Sequence, residues 1–182
     1  MRRRLLTLII LISMFGVLPN TAYARKITRK HKIKLSYLHS DIHLSTDGVS
    51  PDSLLKFAQS LIGVHYRPAS SDPLTGFDCS GFVSYVFKNF NFSVPRSSCE
   101  FINVGEKVNL ADAKPGDIIL FTSPKKHRRN IGHVGIVFYN GIEGLRFIHS
   151  TSGKEYSVTI TAMDETYKRR FVQVVRLLKQ ND

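Results

Sequence analysis

Asp78-Cys79-Ser80-Gly81-Phe82-Val83-Ser84-Tyr85-Val86-Phe87-Lys88-Asn89-Phe90 reads as one helix that opens on a cysteine. Phe82, Val83, Val86, Phe87 and Phe90 recur at three- and four-residue spacing and make one apolar face, while Ser84 and Lys88 fall away from it. Asp78 stands where a cap accepts backbone N–H groups, and Gly76 lets the chain turn into the helix. A sulfur in the first turn meets unpaired backbone donors and the positive end of the helix dipole, which favour the thiolate. Taken alone, a cysteine in that place is more often a small buried residue, so chemistry has to be argued from its surroundings.

Upstream, Ser50-Pro51 starts an earlier helix over residues 51–63, with Leu54, Phe57, Ala58 and Leu61 at helical spacing. The stretch between the two helices holds His65, Tyr66, Arg67, Pro68, Ser70, Ser71, Pro73 and Gly76, a loop composition. Downstream, Ser97 and Glu100 have capping-box spacing for a short helix reaching Val104, on which Cys99 is expected as a small core residue. Pro115-Gly116-Asp117 is a turn that opens an apolar strand over 118–121. From there the period changes to two: Val134, Ile136 and Phe138 alternate with His133, Gly135 and Val137, and strands follow at 145–150, 157–161 and 172–177. Helices first and an antiparallel sheet after them give an α+β domain, with the cysteine at a helix start packed on the sheet.

The remainder of the 182 residues is organised for export. Arg2, Arg3 and Arg4, an apolar stretch over 5–18 and Ala22-Tyr23-Ala24 make a secretory leader at 1–24, with cleavage expected after Ala24. The apolar stretch is shorter than the roughly 20 residues a spanning helix needs, so an uncleaved anchor is the weaker reading and no stable membrane insertion is expected after cleavage. Residues 25–50 form a basic linker and 51–182 the folded domain. Formal charge is +12, concentrated at 25–34 and 125–129. For an exported chain such charge points to anionic wall or envelope polymers rather than to nucleic acid; a solvated face is the plain alternative. Cys79 and Cys99 permit one disulfide in an oxidising compartment, and that bridge would consume the thiol.

His133 and His149 are symmetric about Gly141 in the turn signal Asn140-Gly141, so a hairpin folded there makes them cross-strand neighbours. A one-residue slip would break that pairing. With the pairing, His133 takes the proton of Cys79 and His149 holds the far ring nitrogen. A metal site of Cys79, Cys99, His133 and His149 uses zinc-ligand residue types but lacks the short pairwise spacings of zinc fingers. No metal is therefore expected. His31, His43, His65 and His127 lie in polar or loop surroundings and receive no role.

The run Phe77-Asp78-Cys79-Ser80-Gly81-Phe82 resembles the nucleophile motif of the NlpC-type cell-wall peptidases, a papain-like family. Further segments are similar in the same order: Val94-Pro95-Arg96-Ser97-Ser98, Lys114-Pro115-Gly116-Asp117-Ile118, Gly132-His133-Val134-Gly135-Ile136 and Phe147-Ile148-His149-Ser150. The resemblance covers roughly residues 50–178. It implies a papain-like fold, a Cys79-His133-His149 triad, no cofactor, a thioester intermediate and cleavage of peptidoglycan stem peptides or cross-links. It also implies substrate contacts from Tyr66, whose hydroxyl would face the developing oxyanion, and from Asp78 and Ser80; for Asp78, helix capping is an equal alternative. Arg67-Pro68-Ala69 departs from the family's glycine-rich stretch with an aromatic residue, so Arg67 is taken as a further substrate contact and specificity is left open. An amidase of related fold cutting between glycan and peptide, and a wall-binding module without catalysis, are the competing functions.

Overall fold

The computed structural model describes residues 48–124 and 130–179. The leader, nearly all of the basic linker and the basic run at 125–129 lie outside the described residues. Helix α1 spans Pro51–Ser60 and buries Leu54, Leu55 and Ala58. It ends before the expected residue 63: Leu61 closes it, and Gly63 then takes a φ of +89°, a left-handed conformation that a glycine adopts without steric cost. The following stretch is more ordered than a loop composition suggests. It contains the small hairpin β1 (Ser71–Asp72) and β2 (Gly76–Phe77), followed by helix α2 over Cys79–Asn89.

This hairpin rests on the first turn of α2. The Asp78 N–H donates to the Ser70 carbonyl at 2.9 Å, and a Cβ on Gly81 would overlap that same carbonyl. Gly81→Ala is therefore expected to lift the hairpin off the helix and lower stability by about 1 to 3 kcal/mol, as overpacking does. Chemical unfolding checks it, and an unchanged midpoint would show that the loop can move without cost.

Phe82, Val83, Val86 and Phe87 of α2 are fully buried, against Ile118, Leu120, Val134, Ile136, Ile148 and Val175 on one face of the sheet. That sheet has six strands in the order β3 (Glu106–Val108), β8 (Phe171–Arg176), β4 (Ile118–Thr122), β5 (Ile131–Gly141), β6 (Gly144–Ser150) and β7 (Val158–Ala162), every neighbouring pair antiparallel. Its other face buries Ile119, Phe121, Val137, Phe147 and Val174, with Tyr167 of the short helix α3 (Glu165–Arg170) packed against them. Helices on an antiparallel sheet, with Cys79 at the start of α2, are the α+β arrangement expected from the sequence.

Two expectations fail here. The segment after α2 is a 3-10 helix, Ser98–Asn103, and the Ser97 side chain makes no cap; its hydroxyl lies 3.2 Å from the sulfur of Cys99. With three residues per turn, Phe101 turns inward and is fully buried, leaving Cys99 exposed rather than in the core. Asp117, at the mouth of β4, is wholly buried. Arg176 of β8 donates to both its oxygens at 2.9 and 2.8 Å, and the Lys114 N–H donates to one of them at 2.8 Å. No helix among the described residues is long and apolar enough to cross a membrane.

Candidate active site

His133 lies near the start of β5 and His149 near the end of β6. Their rings meet, with His133 Nε2 2.7 Å from His149 Nδ1 and the ring planes at 81°. The route differs from the symmetric hairpin read from sequence. The turn residues are Ile142 and Glu143, between the paired Gly141 and Gly144, and the register shifts between Val137 and Tyr139. The register Ile136↔Ile148 then continues to Gly135 opposite His149, so His133 is a diagonal neighbour on the same face. Gly135 permits the approach: a Cβ there would stand 2.9 Å from the Phe147 ring and 3.2 Å from the His149 Cβ. Asn140, read as part of the turn, instead clamps the segment beneath, its amide donating to the Leu110, Ala111 and Ala113 carbonyls.

His149 is fully buried, and its Nε2 lies 2.9 Å from the hydroxyl of Thr161 on β7. Phe147 and Tyr167 enclose it, with ring centroids at 4.7 and 5.9 Å. Behind them the Arg170 guanidinium lies over Tyr167 and donates to the Thr122 carbonyl. Burial, aided by the positive charge of Arg170, pulls His133 down to about 3; burial, His133 and Arg170 together hold His149 well below its ordinary value. Both rings are neutral at physiological pH.

Cys79 is a free thiol with 9% of its surface exposed, and it takes a backbone hydrogen bond from Val134, the residue after His133. The helix start does present N–H groups to it, those of Cys79 and Ser80, which favour the thiolate as expected. They are outweighed: burial first, then the charge of Asp78, push the thiol up. Burial and Asp78 thus favour the thiol over the thiolate expected from the helix start alone. Cys99 is also free, and no group of three or more His, Cys, Asp or Glu that could hold a metal ion occurs among the described residues.

Around the thiol, Asp78 caps α2 by accepting the Gly81 N–H at 2.6 Å and also accepts the Ser80 hydroxyl at 3.2 Å. Arg96 grips both its oxygens, at 2.9 and 2.7 Å, and donates to the Ser80 hydroxyl at 3.0 Å. Tyr66 is close enough to Cys79 and Asp78 for their charges, after burial, to raise its hydroxyl. Its ring packs on Tyr156 at 5.6 Å. Arg67 is exposed and is tied down through its backbone, N–H to the Phe77 carbonyl.

Residues 63–176, well over half of the chain, match the profile of the NlpC/P60 family. The chain belongs to the NlpC/P60 family. Membership makes this a domain of the cysteine-peptidase class with a papain-like fold. It is 39% identical over 111 residues to the gamma-DL-glutamyl hydrolase of Bacillus subtilis (strain 168), a match covering 60% of this chain and 25% of that protein. It is 34% identical over 121 residues to murein DD-endopeptidase MepS/murein LD-carboxypeptidase of Escherichia coli (strain K12), covering 65% and 58%. Among solved structures, an NlpC/P60 family protein from Bacillus cereus ATCC 10987 superposes with a TM-score of 0.63 at 26% identity, over 72% of this chain and 41% of that one. The NlpC/p60 domain of peptidoglycan hydrolase SagA does so with a TM-score of 0.59 at 25% identity, over 71% and 100%. The chain spans from a quarter to under two thirds of the length of the curated relatives it matches.

Within this NlpC/P60 domain, the structure brings Tyr66, Asp78, Ser80 and Cys79 to one end of α2 and joins His133 to His149 behind them. Three neighbours escaped the sequence reading. Arg96 sits in a polar run with no partner visible at fixed spacing. Tyr156 holds an uncommon φ of +46°, a conformation no pattern announces. Thr161 meets His149 only through the β6–β7 register, in which Phe147, not His149, is its direct partner.

The buried histidines also predict the acid response of the NlpC/P60 domain. Their folded values lie below the unfolded one of about 6.5, that of His133 at about 3, so as the pH falls below 6.5 the unfolded chain binds protons that the folded chain refuses. The stability they contribute is present above pH 6.5 and falls with acidification by about 1.4 kcal/mol per unit per histidine. Urea midpoints should decline between pH 6.5 and 4, and His133→Phe should flatten that decline. Equal slopes in the two proteins would contradict it.

Proposed function

We propose that this protein is an exported cysteine endopeptidase that hydrolyses peptide bonds in peptidoglycan stem peptides or cross-links, with Cys79 as nucleophile, His133 as base and His149 as the group that orients it. The observation that carries the proposal is the buried histidine pair at 2.7 Å, in which His133 is followed on β5 by Val134, whose N–H donates to the Cys79 thiol. The names of the relatives, a gamma-DL-glutamyl hydrolase and a murein DD-endopeptidase, support the substrate class.

His149 occupies Nε2 of His133, which leaves Nδ1, the nitrogen nearer its own backbone, to take the proton. Because the resting pair is neutral, proton transfer from sulfur to Nδ1 accompanies attack on the carbonyl carbon. The carbonyl π pair moves to oxygen, and the Tyr66 hydroxyl donates to that oxyanion. Collapse breaks the C–N bond, and the leaving amine takes the proton from His133. A thioester on Cys79 remains. Water, losing its proton to His133, adds to the thioester, and the carboxylic acid and the thiol are released. Asp78, Ser80 and Arg67 form the substrate wall, with Arg96 holding the first two.

The leader at 1–24 delivers the domain at 51–182 to the wall, and the basic segment at 25–50 attracts it to anionic polymers there. Digestion of defined muropeptides followed by mass spectrometry tests the activity: cleavage within the peptide supports it. Release of intact stem peptide from the glycan would instead identify an amidase.

A further inference from the structure

We infer that Thr161 is a positioning residue for the reaction, acting through His149 to hold His133 in the tautomer that can accept a proton from Cys79. The inference rests on the proposed peptidase reaction. Two neutral imidazoles joined at 2.7 Å share one hydrogen, and the sharing admits two arrangements. In the first, His133 carries hydrogen on Nε2 and donates to His149 Nδ1; His149 then carries hydrogen on Nε2, and His133 Nδ1 is bare. In the second, His149 donates from Nδ1, its own Nε2 is bare, and His133 carries hydrogen on Nδ1, the nitrogen that must receive the thiol proton. Only the first arrangement leaves His133 able to act as base.

That arrangement leaves a fully buried N–H at His149 Nε2 in need of an acceptor. The Thr161 oxygen at 2.9 Å supplies it, while the rings of Phe147 and Tyr167 pack around His149. Without that oxygen, the first arrangement strands a buried donor, whereas the second strands only a lone pair. Buried N–H groups left without partners are the rarer and costlier case. Removing the hydroxyl therefore shifts the pair toward the arrangement that cannot act as base. As imidazolium forms on His133 during attack, the same chain disperses the charge through His149 to the Thr161 oxygen.

Thr161→Val keeps the shape of the side chain and deletes the oxygen; Thr161→Ser keeps the oxygen. For Thr161→Val we expect kcat to fall about 10- to 100-fold, the scale on which hydrogen-bond partners that fix the tautomer of a metal-binding histidine act, with KM little changed. Thr161→Ser should restore most of it. Nitrogen-15 spectra of histidine-labelled protein give the independent readout: His149 in the wild type is protonated at Nε2 and bare at Nδ1, and Thr161→Val moves the proton toward Nδ1. Loss of kcat without a tautomer shift would assign Thr161 a merely structural role, and a shift without loss of kcat would remove it from catalysis; either overturns the inference, as does a wild-type His149 protonated at Nδ1. If the wild type cleaves no wall peptide, the peptidase reading is what fails, and the nitrogen spectra still decide whether Thr161 sets the tautomer.

Discussion

Cys79→Ala is expected to abolish peptide hydrolysis, with a loss of at least about 10³-fold, while leaving the thermal midpoint close to that of the wild type. The substitution deletes one sulfur at a site that is already small and buried, and the capping carboxylate of Asp78, the close approach at Gly81 and the aromatic packing of Phe77 on Phe82 do not depend on it. Cys99 is exposed on the 3-10 helix beside Ser97, so Cys99→Ala should leave turnover unchanged. Assays of both variants on the same muropeptide distinguish the two thiols, and turnover retained by Cys79→Ala would remove the mechanism.

The largest effect on stability is expected at the ion pair between Asp117 and Arg176. Asp117 is fully buried where the chain turns into β4, and Arg176 answers it with two hydrogen bonds from β8 while also donating to the Asp112 carbonyl at 2.9 Å. Arg176→Met keeps much of the side-chain volume but leaves the buried carboxylate without its charged partner, with the Lys114 N–H still donating to it, and removing one partner of a buried pair costs about 3 to 5 kcal/mol. Against a typical domain stability of about 5 to 15 kcal/mol, that is a drop plainly visible in urea unfolding. The double variant Arg176→Met with Asp117→Leu should recover part of the loss, because an apolar pair leaves no charge behind. A single variant as stable as the wild type would mean that water reaches Asp117.

The contrast between these two sites follows what a sequence can carry. α2 was legible because five apolar residues repeat at one period and an aspartate caps them, information contained within thirteen residues. The strands bearing His133 and His149 were legible from alternation, and so was their placement on one face. Their register was not: Asn140-Gly141 has turn chemistry, yet the turn falls on Ile142 and Glu143 because Asn140 is engaged with three carbonyls of the segment beneath. The capping box at Ser97 and Glu100 failed because a 3-10 geometry replaced the α-helix that box serves. β3 and α3, of three and six residues, are too short to show a period. Thr161, Arg96 and Tyr156 are tertiary neighbours, and a single sequence has no term for a diagonal contact across two strands. The upward push on the Cys79 thiol is not legible for a related reason: the helix-start donors are local, whereas the burial that outweighs them belongs to the whole fold.

Mass spectrometry of acid-quenched turnover addresses the central chemistry most directly. During cleavage of a stem peptide, a fraction of the protein should carry the acyl portion of the substrate, the added mass should map to the peptide containing Cys79, and hydroxylamine should remove it as it removes a thioester. Steady cleavage with no adduct on Cys79, continuing after that sulfur has been fully alkylated, would contradict the account.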